Sequence, residues 1–253
     1  AMFVFLLLIM GLLATTELGT DSWISDIMRA VLGSPTLGIL FLVYTSLIMF
    51  VLRFFAGPIV HKISPLGLLA VSSAIAALGL LWLANAGTGA LVLFLAATFY
   101  GLGKTFFWPA MLGVVSEQYP KGGALLLNAI AGVGVLTVGI LGGAAIGTVQ
   151  DIGFERILEA EQPAIHEKIV VEQKGQFFKY HAVDAIKRND DLTEDQQGLV
   201  AAVESRAKQA SLGKIAILPA IMLVCYLALI AYFKAQGGYK PVELAADEEV
   251  GSE

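Results

Sequence analysis

The sequence predicts an all-α polytopic membrane protein, a bundle of six transmembrane helices carrying a helical extramembrane insertion. Three observations support this. Of 253 residues, 57% are hydrophobic and 15% charged, with a mean hydropathy of +0.77, whereas soluble domains run about 45–50% apolar and about 25% charged. The charge is segregated: 20 of the 37 charged residues, eight Lys/Arg and twelve Asp/Glu, fall between Asp151 and Gly213. Elsewhere, apolar runs near the roughly 17–25 residues of a bilayer crossing alternate with short polar breaks.

The first run, about 2–27, is apolar early and polar late. It has no basic stretch before it and outlasts a signal peptide's apolar core, so it reads as a membrane helix cut inside or just before its start. The others cover about 36–60, 66–84, 90–115, 124–149 and 215–233. Turn chemistry separates them at Gly33-Ser34-Pro35, Ser64-Pro65, Asn85-Ala86-Gly87 and Tyr119-Pro120-Lys121-Gly122-Gly123. No period-two alternation recurs, which argues against a barrel. Backbone polar groups in lipid must be satisfied within their own segment, so the runs are helices. They are apolar nearly all round, unlike the single stripe of a soluble helix.

Residues 150–213 form a soluble, mostly helical insertion between 1–149, which hold five spans, and the sixth span at 214–234; an acidic tail, 235–253, follows. Thr193-Glu194-Asp195-Gln196 matches a capping box, with Val200, Val203 and Ala207 at helical spacing behind it. Leu158, Ile165, Ile169 and Val170 outline a second amphipathic helix, interrupted near Pro163. The insertion reads either as a cap over the outer helix ends or as a partner-binding or substrate-gating domain. Lys and Arg in the short loops place both ends in the cytoplasm of a cell (inner) membrane and 150–213 outside.

Several function classes drop out. Cys225 is the lone cysteine, so no disulfide scaffold exists. Three histidines and one cysteine do not supply a four-ligand zinc site. A net charge of −5 without a basic patch argues against nucleic acid. His61 sits at a cytoplasmic loop and His166 and His181 in the insertion, so no Ser–His pair lies at membrane depth, and no His-Glu-x-x-His occurs; an enzyme is not expected. Gly103-Lys104-Thr105 is no phosphate loop, because Thr98 stands where the first Gly is required.

Ionisable residues inside spans are costly and are functional candidates by default. Glu17 lies roughly 16 Å below the outer end of its helix at about 1.5 Å per residue, with Asp21 one turn further out on the same face. Lys104 lies roughly 22 Å from the outer surface. A Glu17–Lys104 pair, or a solute bridging the two, is expected; a purely structural ion pair is the alternative. A protonatable Glu17 is also a candidate proton-coupling site. Tyr100, Lys104 and Trp108 recur every four residues and share a face. A cation between two aromatics suits a polar, ring-shaped ligand such as a sugar, and packing is the competing role for both aromatics. Tyr44 and Asn128 complete the substrate-binding candidates, with helix capping the other reading for Asn128. Trp23 reads as an interfacial anchor that doubles as an outer lid. Gly139, Gly143 and Gly147 form a small-residue packing stripe, Pro109 and Pro219 are kink sites, and Arg53 is expected to snorkel to the cytoplasmic face.

Four stretches carry a family resemblance. Thr16-Glu17-Leu18-Gly19-Thr20-Asp21-Ser22-Trp23-Ile24 is similar to the seventh helix of fucose-permease-like sugar porters. Arg53-Phe54-Phe55-Ala56-Gly57, with Pro58-Ile59-Val60-His61-Lys62, resembles the basic loop after the eighth helix. Tyr100-Gly101-Leu102-Gly103-Lys104-Thr105-Phe106-Phe107-Trp108-Pro109 resembles the tenth helix, and Gly113 to Ala124 the loop after it. Over about 1–149 and 214–240, the chain thus resembles the C-terminal half, helices seven to twelve, of a major facilitator superfamily transporter. It departs from the family at His61, which replaces an acid of the loop motif, at Ser64-Pro65, which replace its final Gly and base, and in the long insertion.

The resemblance implies half of a two-bundle fold whose N-terminal six helices precede Ala1, with Glu17 and Lys104 on cavity-lining helices and Arg53, Gly57, His61 and Lys62 in the gating loop. It also implies alternating access for a small polar organic solute, a sugar or related compound, coupled to protons or sodium with no other cofactor. The expected partners are that solute, membrane lipid and the missing half. A non-transporting receptor or scaffold that binds through 150–213 is the alternative function. A six-helix homodimer is the alternative if the chain is complete as given.

Overall fold

The computed structural model describes residues 2–55, 63–176 and 178–243. Among them, six helices are long and apolar enough to cross a membrane, which fits an α-helical multi-pass membrane protein. The first is one 31-residue helix in three parts: α1 (Met2–Ala14), a π-turn (Thr15–Gly19) and α2 (Thr20–Leu32). It outruns the expected end near residue 27 because α2 is amphipathic, with Ile24, Ile27, Met28 and Val31 turned inward. Gly33 closes it at φ 64°, a left-handed conformation that suits glycine.

Ser34 then caps α3 (Pro35–Arg53): its hydroxyl accepts the Leu37 amide at 3.4 Å, and Pro35 takes the first turn, where its missing N–H costs nothing. Ser64-Pro65 opens α4 (Pro65–Asn85) the same way, Ser64 Oγ accepting the Gly67 amide at 3.1 Å. α3 ends at Arg53 rather than near 60. The predicted loop residues Gly57, His61 and Lys62 lie outside the described residues.

The fourth span is split into α5 (Ala90–Lys104) and α6 (Phe107–Gln118) by a break at Thr105–Phe106. Pro109 accounts for the break: it has no amide for the carbonyl four residues back, and its ring crowds that carbonyl. The fifth comprises α7 (Gly123–Thr137), a second π-turn (Val138–Gly142) and α8 (Gly143–Glu161).

The boundaries expected at 149/150 and 213/214 fall inside helices. α8 runs unbroken past Gln150, and α11 (Glu194–Ile215) meets α12 (Ile217–Ala235), the sixth apolar crossing, across Ala216, three residues before Pro219. Between them lie α9 (Pro163–Ile169), the antiparallel strands β1 (Val170–Lys174) and β2 (Lys179–Val183), and α10 (Ala185–Asp190). The strands pair from Val170↔Val183 to Lys174↔Lys179. The insertion is thus mostly helical, with one short hairpin that the sequence reading did not anticipate. Val170, assigned above to a helix, opens β1, and five-residue strands are too short to display a recurrent alternation. The Thr193 capping box is present in both directions. Val200, Val203 and Ala207 join Phe154, Leu158, Ile165, Ile169 and Leu192 in a small second core.

The main core runs through all six crossings, from Leu13, Ile27 and Phe41 to Leu80, Tyr100, Phe107, Ile130 and Tyr226. The tightest backbone approach joins α4 to α5. A Cβ on Gly103 would lie 2.4 Å from the Ala76 nitrogen, and one on Gly79 would lie 2.6 Å from the Tyr100 nitrogen. Of the Gly139/Gly143/Gly147 stripe only Gly147 meets another helix, a Cβ there standing 3.4 Å from the Trp23 ring. A Cβ on Gly139 meets nothing within 4 Å, and one on Gly143 meets only the Val138 carbonyl of its own helix, at 3.7 Å. Their helix faces outward: only 11% of the fifth span's apolar window is buried, and 17% of the second's, against 56–61% for the first, third and fourth.

One end of the bundle gathers both described chain ends. Phe3 stacks edge-on to Tyr119 at 5.3 Å, and the Val242 amide donates to the Glu117 carbonyl at 2.8 Å. The insertion sits over the other end, where Gln209 Nε2 on α11 donates to the carbonyls of Leu83 (3.0 Å) and Gly87 (2.8 Å).

Candidate functional site

Glu17 is the central residue of the first span, fifteen residues from either end, hence about 22 Å from each. It lies in the π-turn. A π-turn loosens the helical ladder and is frequent at functional sites. Here the Thr16 carbonyl accepts the Tyr100 hydroxyl at 2.8 Å, tying the π-turn to α5. Glu17 is 3% exposed, and its Oε1 accepts from Arg53 Nη2 at 3.0 Å. Its Oε2 has no hydrogen-bond partner among the described residues.

Arg53 reaches this depth because α3 is short. Eighteen steps from Pro35 put it about 27 Å below the turn it shares with the first span, only slightly deeper than Glu17. Its Nε donates to the Thr105 carbonyl at 3.1 Å. That carbonyl is four residues before Pro109, so no amide claims it within the helix. Arg53, the last residue of α3, keeps a side chain that is 42% exposed, while two acceptors on other spans hold its guanidinium.

Lys104, with a fully buried side chain, pairs with Asp21, which is 21% exposed. Its Nζ lies 5.2 Å from the Tyr100 ring centroid, a cation–π contact that helps hold a buried ammonium. The expected Glu17–Lys104 pair is not formed. Side chains lean toward the N-terminus of their helix, and α5 runs antiparallel to the first span. Lys104 therefore reaches back past Glu17 to Asp21, one turn away. Arg53, on the equally antiparallel α3, leans the same way and meets Glu17. The result is two acid–base pairs, stacked one turn apart, that join three helices at mid-depth.

The remaining candidates fall outside this cluster. The Tyr44 hydroxyl and Thr98 Oγ1 lie 2.6 Å apart, and the Tyr44 ring sits edge-on to Phe94 at 5.3 Å, a tie between α3 and α5. The break at Thr105–Phe106 interrupts the register of Trp108 with Tyr100 and Lys104. Trp108 is half-buried, its ring 3.3 Å from where a Cβ on Gly134 would stand. Asn128 is exposed in the second turn of α7, while Gly122 occupies the N-cap position. Trp23 is half-buried against Gly147, 3.4 Å from a Cβ placed there.

A second charged cluster, not anticipated, lies where the insertion meets the bundle. Lys208 donates to Asp26 and Glu204, both at 2.8 Å, and Arg188 donates to Glu204 at 2.7 Å. Burial alone would raise the Glu204 carboxyl, but Lys208 and Arg188 hold it below its ordinary value. Burial likewise opposes the Lys208 charge, yet its two carboxylate partners lift it above its ordinary value. Burial pushes Asp151 up, although it accepts the Tyr180 hydroxyl at 2.9 Å. The four-residue spacing of Glu204 and Lys208 was the available signal.

Glu155, Glu159 and His166 bring one ligand atom each within 4.8 Å of the others. Two carboxylates and an imidazole are a donor set that zinc accepts. His166 Nε2, however, lies 2.9 Å from Glu155 Oε1, so the group already has a role in tying α9 to α8. Compared with known proteins, the chain matches no family model, no curated protein and no solved structure.

Proposed function

We propose that the chain is the C-terminal half of a secondary active transporter that moves a small polar organic solute, a sugar or related compound, by alternating access. The observation that carries this reading is the pair of acid–base contacts, Glu17–Arg53 and Asp21–Lys104, that bridges three helices at mid-depth. Ion pairs taken out of water are weak stabilisers, and well-packed apolar residues of similar size often serve a fold better. Ionisable groups at membrane depth therefore favour a solute or ion pathway. The unpartnered Glu17 Oε2 offers a place for a proton or a sodium ion.

The apolar faces of α3 and α7 are open to lipid or to a further bundle. Ile39, Val43, Leu47 and Phe50 on α3, and Leu125, Val135 and Leu136 on α7, are all exposed. A preceding six-helix half of the same chain would cover these faces, as the resemblance to the major facilitator superfamily implies. In this reading both ends are cytoplasmic and 150–213 faces outward, in accord with the Lys/Arg distribution of the short loops. The experiment is uptake of radiolabelled monosaccharides by the full-length parent in proteoliposomes under an imposed pH gradient. Glu17→Gln is expected to remove the gradient's effect; proton-driven accumulation that survives the substitution rules out Glu17 as the coupling group. A non-transporting receptor is the second reading, favoured by the cavity of about 240 Å³ beneath the insertion, and it predicts solute binding without accumulation.

A further inference from the structure

Among the described residues, π-turns interrupt two spans, the first and the fifth, and the two turns lie against each other. Gly11, Thr15 and Gly19 on the first span face Thr137, Gly142 and Ile146 on the fifth. A Cβ on Gly11 would stand 3.1 Å from Thr137 Cγ2, one on Gly142 2.7 Å from Thr15 Oγ1, and one on Gly19 3.0 Å from Ile146 Cδ1. Each contact sets a glycine of one helix against a side chain of the other.

The spacing along this seam is even on the first span and uneven on the fifth. Gly11, Thr15 and Gly19 recur every four positions, whereas Gly142 comes five after Thr137 and Ile146 four after Gly142. In an unbroken α-helix Leu141, four past Thr137, would fall opposite Thr15. A Cβ in that place stands 2.7 Å from the Thr15 hydroxyl, so a leucine does not fit. The π-turn at Val138–Gly142 absorbs the extra residue, because its hydrogen bonds span five residues instead of four. Both helices are also softened at this level. Thr15 Oγ1 donates to the Gly11 carbonyl at 2.8 Å and Thr137 Oγ1 to the Val133 carbonyl at 2.7 Å, back-bonds of a kind that bends helices.

The insertion holds the outer arm of each turn. α8 leaves the fifth span's π-turn and runs unbroken to Glu161, and its Phe154 and Leu158 share the insertion's core with Val200 and Val203 of α11. α11 in turn grips α2, Lys208 donating to Asp26 at 2.8 Å. Glu17 is the central residue of the first span's π-turn.

We propose that the two π-turns form one joint that couples the insertion to Glu17. A change in how the insertion sits on the bundle swings α8, and the Gly142–Thr15 contact passes that movement into the turn that carries Glu17. The insertion is thereby a regulatory arm for the charge cluster at mid-depth. The coupling links two parts of this chain, so it stands apart from transport and is measurable without a solute.

The test is deletion of Gly139, followed by thermal melting and amide hydrogen exchange on the full chain in lipid nanodiscs. Losing one residue from an α-helix turns everything beyond it by about 100°. Here the deletion instead brings Gly142 to four positions past Thr137, so the π-turn becomes α-helix and the seam contacts are kept. The shortened chain should melt at or above the parent. The Thr15–Gly19 amides, on a different helix, should exchange about two- to thirtyfold more slowly, the span of coupling through packed networks. Gly142→Ala, at full length, should do the opposite and speed their exchange, because its methyl displaces the Thr15 hydroxyl. Leu158→Ala, which hollows the insertion's core, should speed exchange at Thr15–Gly19 in the parent and leave it unchanged when Gly139 is absent. A deletion that melts well below the parent overturns the register on which the joint depends. The proposal is equally overturned by slowing confined to the fifth span, by unchanged exchange at Thr15–Gly19 in Gly142→Ala, or by a Leu158→Ala response there that is absent from the parent or equal in both backgrounds.

Discussion

Arg53 Nε donates to the carbonyl of Thr105, an acceptor that is free because Pro109 lies four residues further along. A helix-breaking residue on one span thus creates the docking point for a cation on another, and that cation in turn holds Glu17. Pro109→Ala tests the chain of cause. Alanine restores an amide that competes for the Thr105 carbonyl, and it favours a continuous helix by about 3 kcal/mol over proline. Arg53 then loses one of two partners. The expected result is a split: thermal melting in detergent equal to or above the parent, with the proposed solute uptake reduced several-fold. Unchanged uptake would show that the Arg53–Thr105 contact has no part in function.

The Asp21–Lys104 pair should be asymmetric. Lys104 is fully buried while Asp21 is 21% exposed, so the two single neutralisations strand different charges. Asp21→Asn leaves an ammonium wholly out of water, where breaking a buried pair costs about 3–5 kcal/mol. Lys104→Met leaves a carboxylate that reaches solvent and costs less. The double variant should melt above Asp21→Asn, because no stranded charge remains. Melting curves for the four proteins check this, and a double variant that melts as low as Asp21→Asn contradicts it.

The cluster under the insertion should respond to pH in a set direction. Glu204 titrates lower folded than unfolded, so its contribution is complete above the ordinary carboxylate range, about pH 4.5, and is lost as pH falls through its lowered value. Lys208 titrates higher folded than unfolded, so its contribution is present below about pH 10.5 and disappears as pH rises through the raised value. Protection of α10 and α11 amides from hydrogen exchange should therefore hold across neutral pH and fall in strong acid. Lys208→Met should shift the acid loss to higher pH, since Glu204 and Asp26 then lack their shared cation. An acid response identical in the variant counts against the cluster as its origin.

Much of this architecture is legible along the chain because local chemistry sets it. Ser34-Pro35 and Ser64-Pro65 start helices through contacts three residues away, and Thr193 with Gln196 closes a capping box in one turn. Pro109 likewise announces its break. The pairing of the buried charges is not local. Depth along a helix put Glu17 and Lys104 within about one turn of each other, but which acid each base reaches depends on the lean of side chains on antiparallel neighbours and on where α3 stops. The β1–β2 hairpin escaped because its five-residue strands leave only Ala182 buried in the second of them. The insertion's cavity depends on contacts between residues more than a hundred positions apart, such as Lys208 with Asp26, for which one sequence carries no signal.

Glycine spacing was the least reliable guide, and it yields a sharp contrast. Gly139, Gly143 and Gly147 have the regular spacing of a packing stripe, yet a Cβ on Gly143 meets nothing closer than 3.7 Å. Gly103 belongs to no such stripe, but a Cβ there would stand 2.4 Å from the Ala76 nitrogen and 2.7 Å from its Cα. Backbone cannot rotate aside as a side chain can, so α4 and α5 would have to separate. Separation would displace Lys104, the next residue, from Asp21. Gly103→Ala should therefore lower melting by overpacking, about 1–3 kcal/mol, and impair the proposed solute uptake with it. Gly143→Ala should be neutral or stabilising by roughly 0.5–1 kcal/mol, since alanine is the better helix former. If the two substitutions melt alike, the close α4–α5 approach is not what holds Lys104 in place.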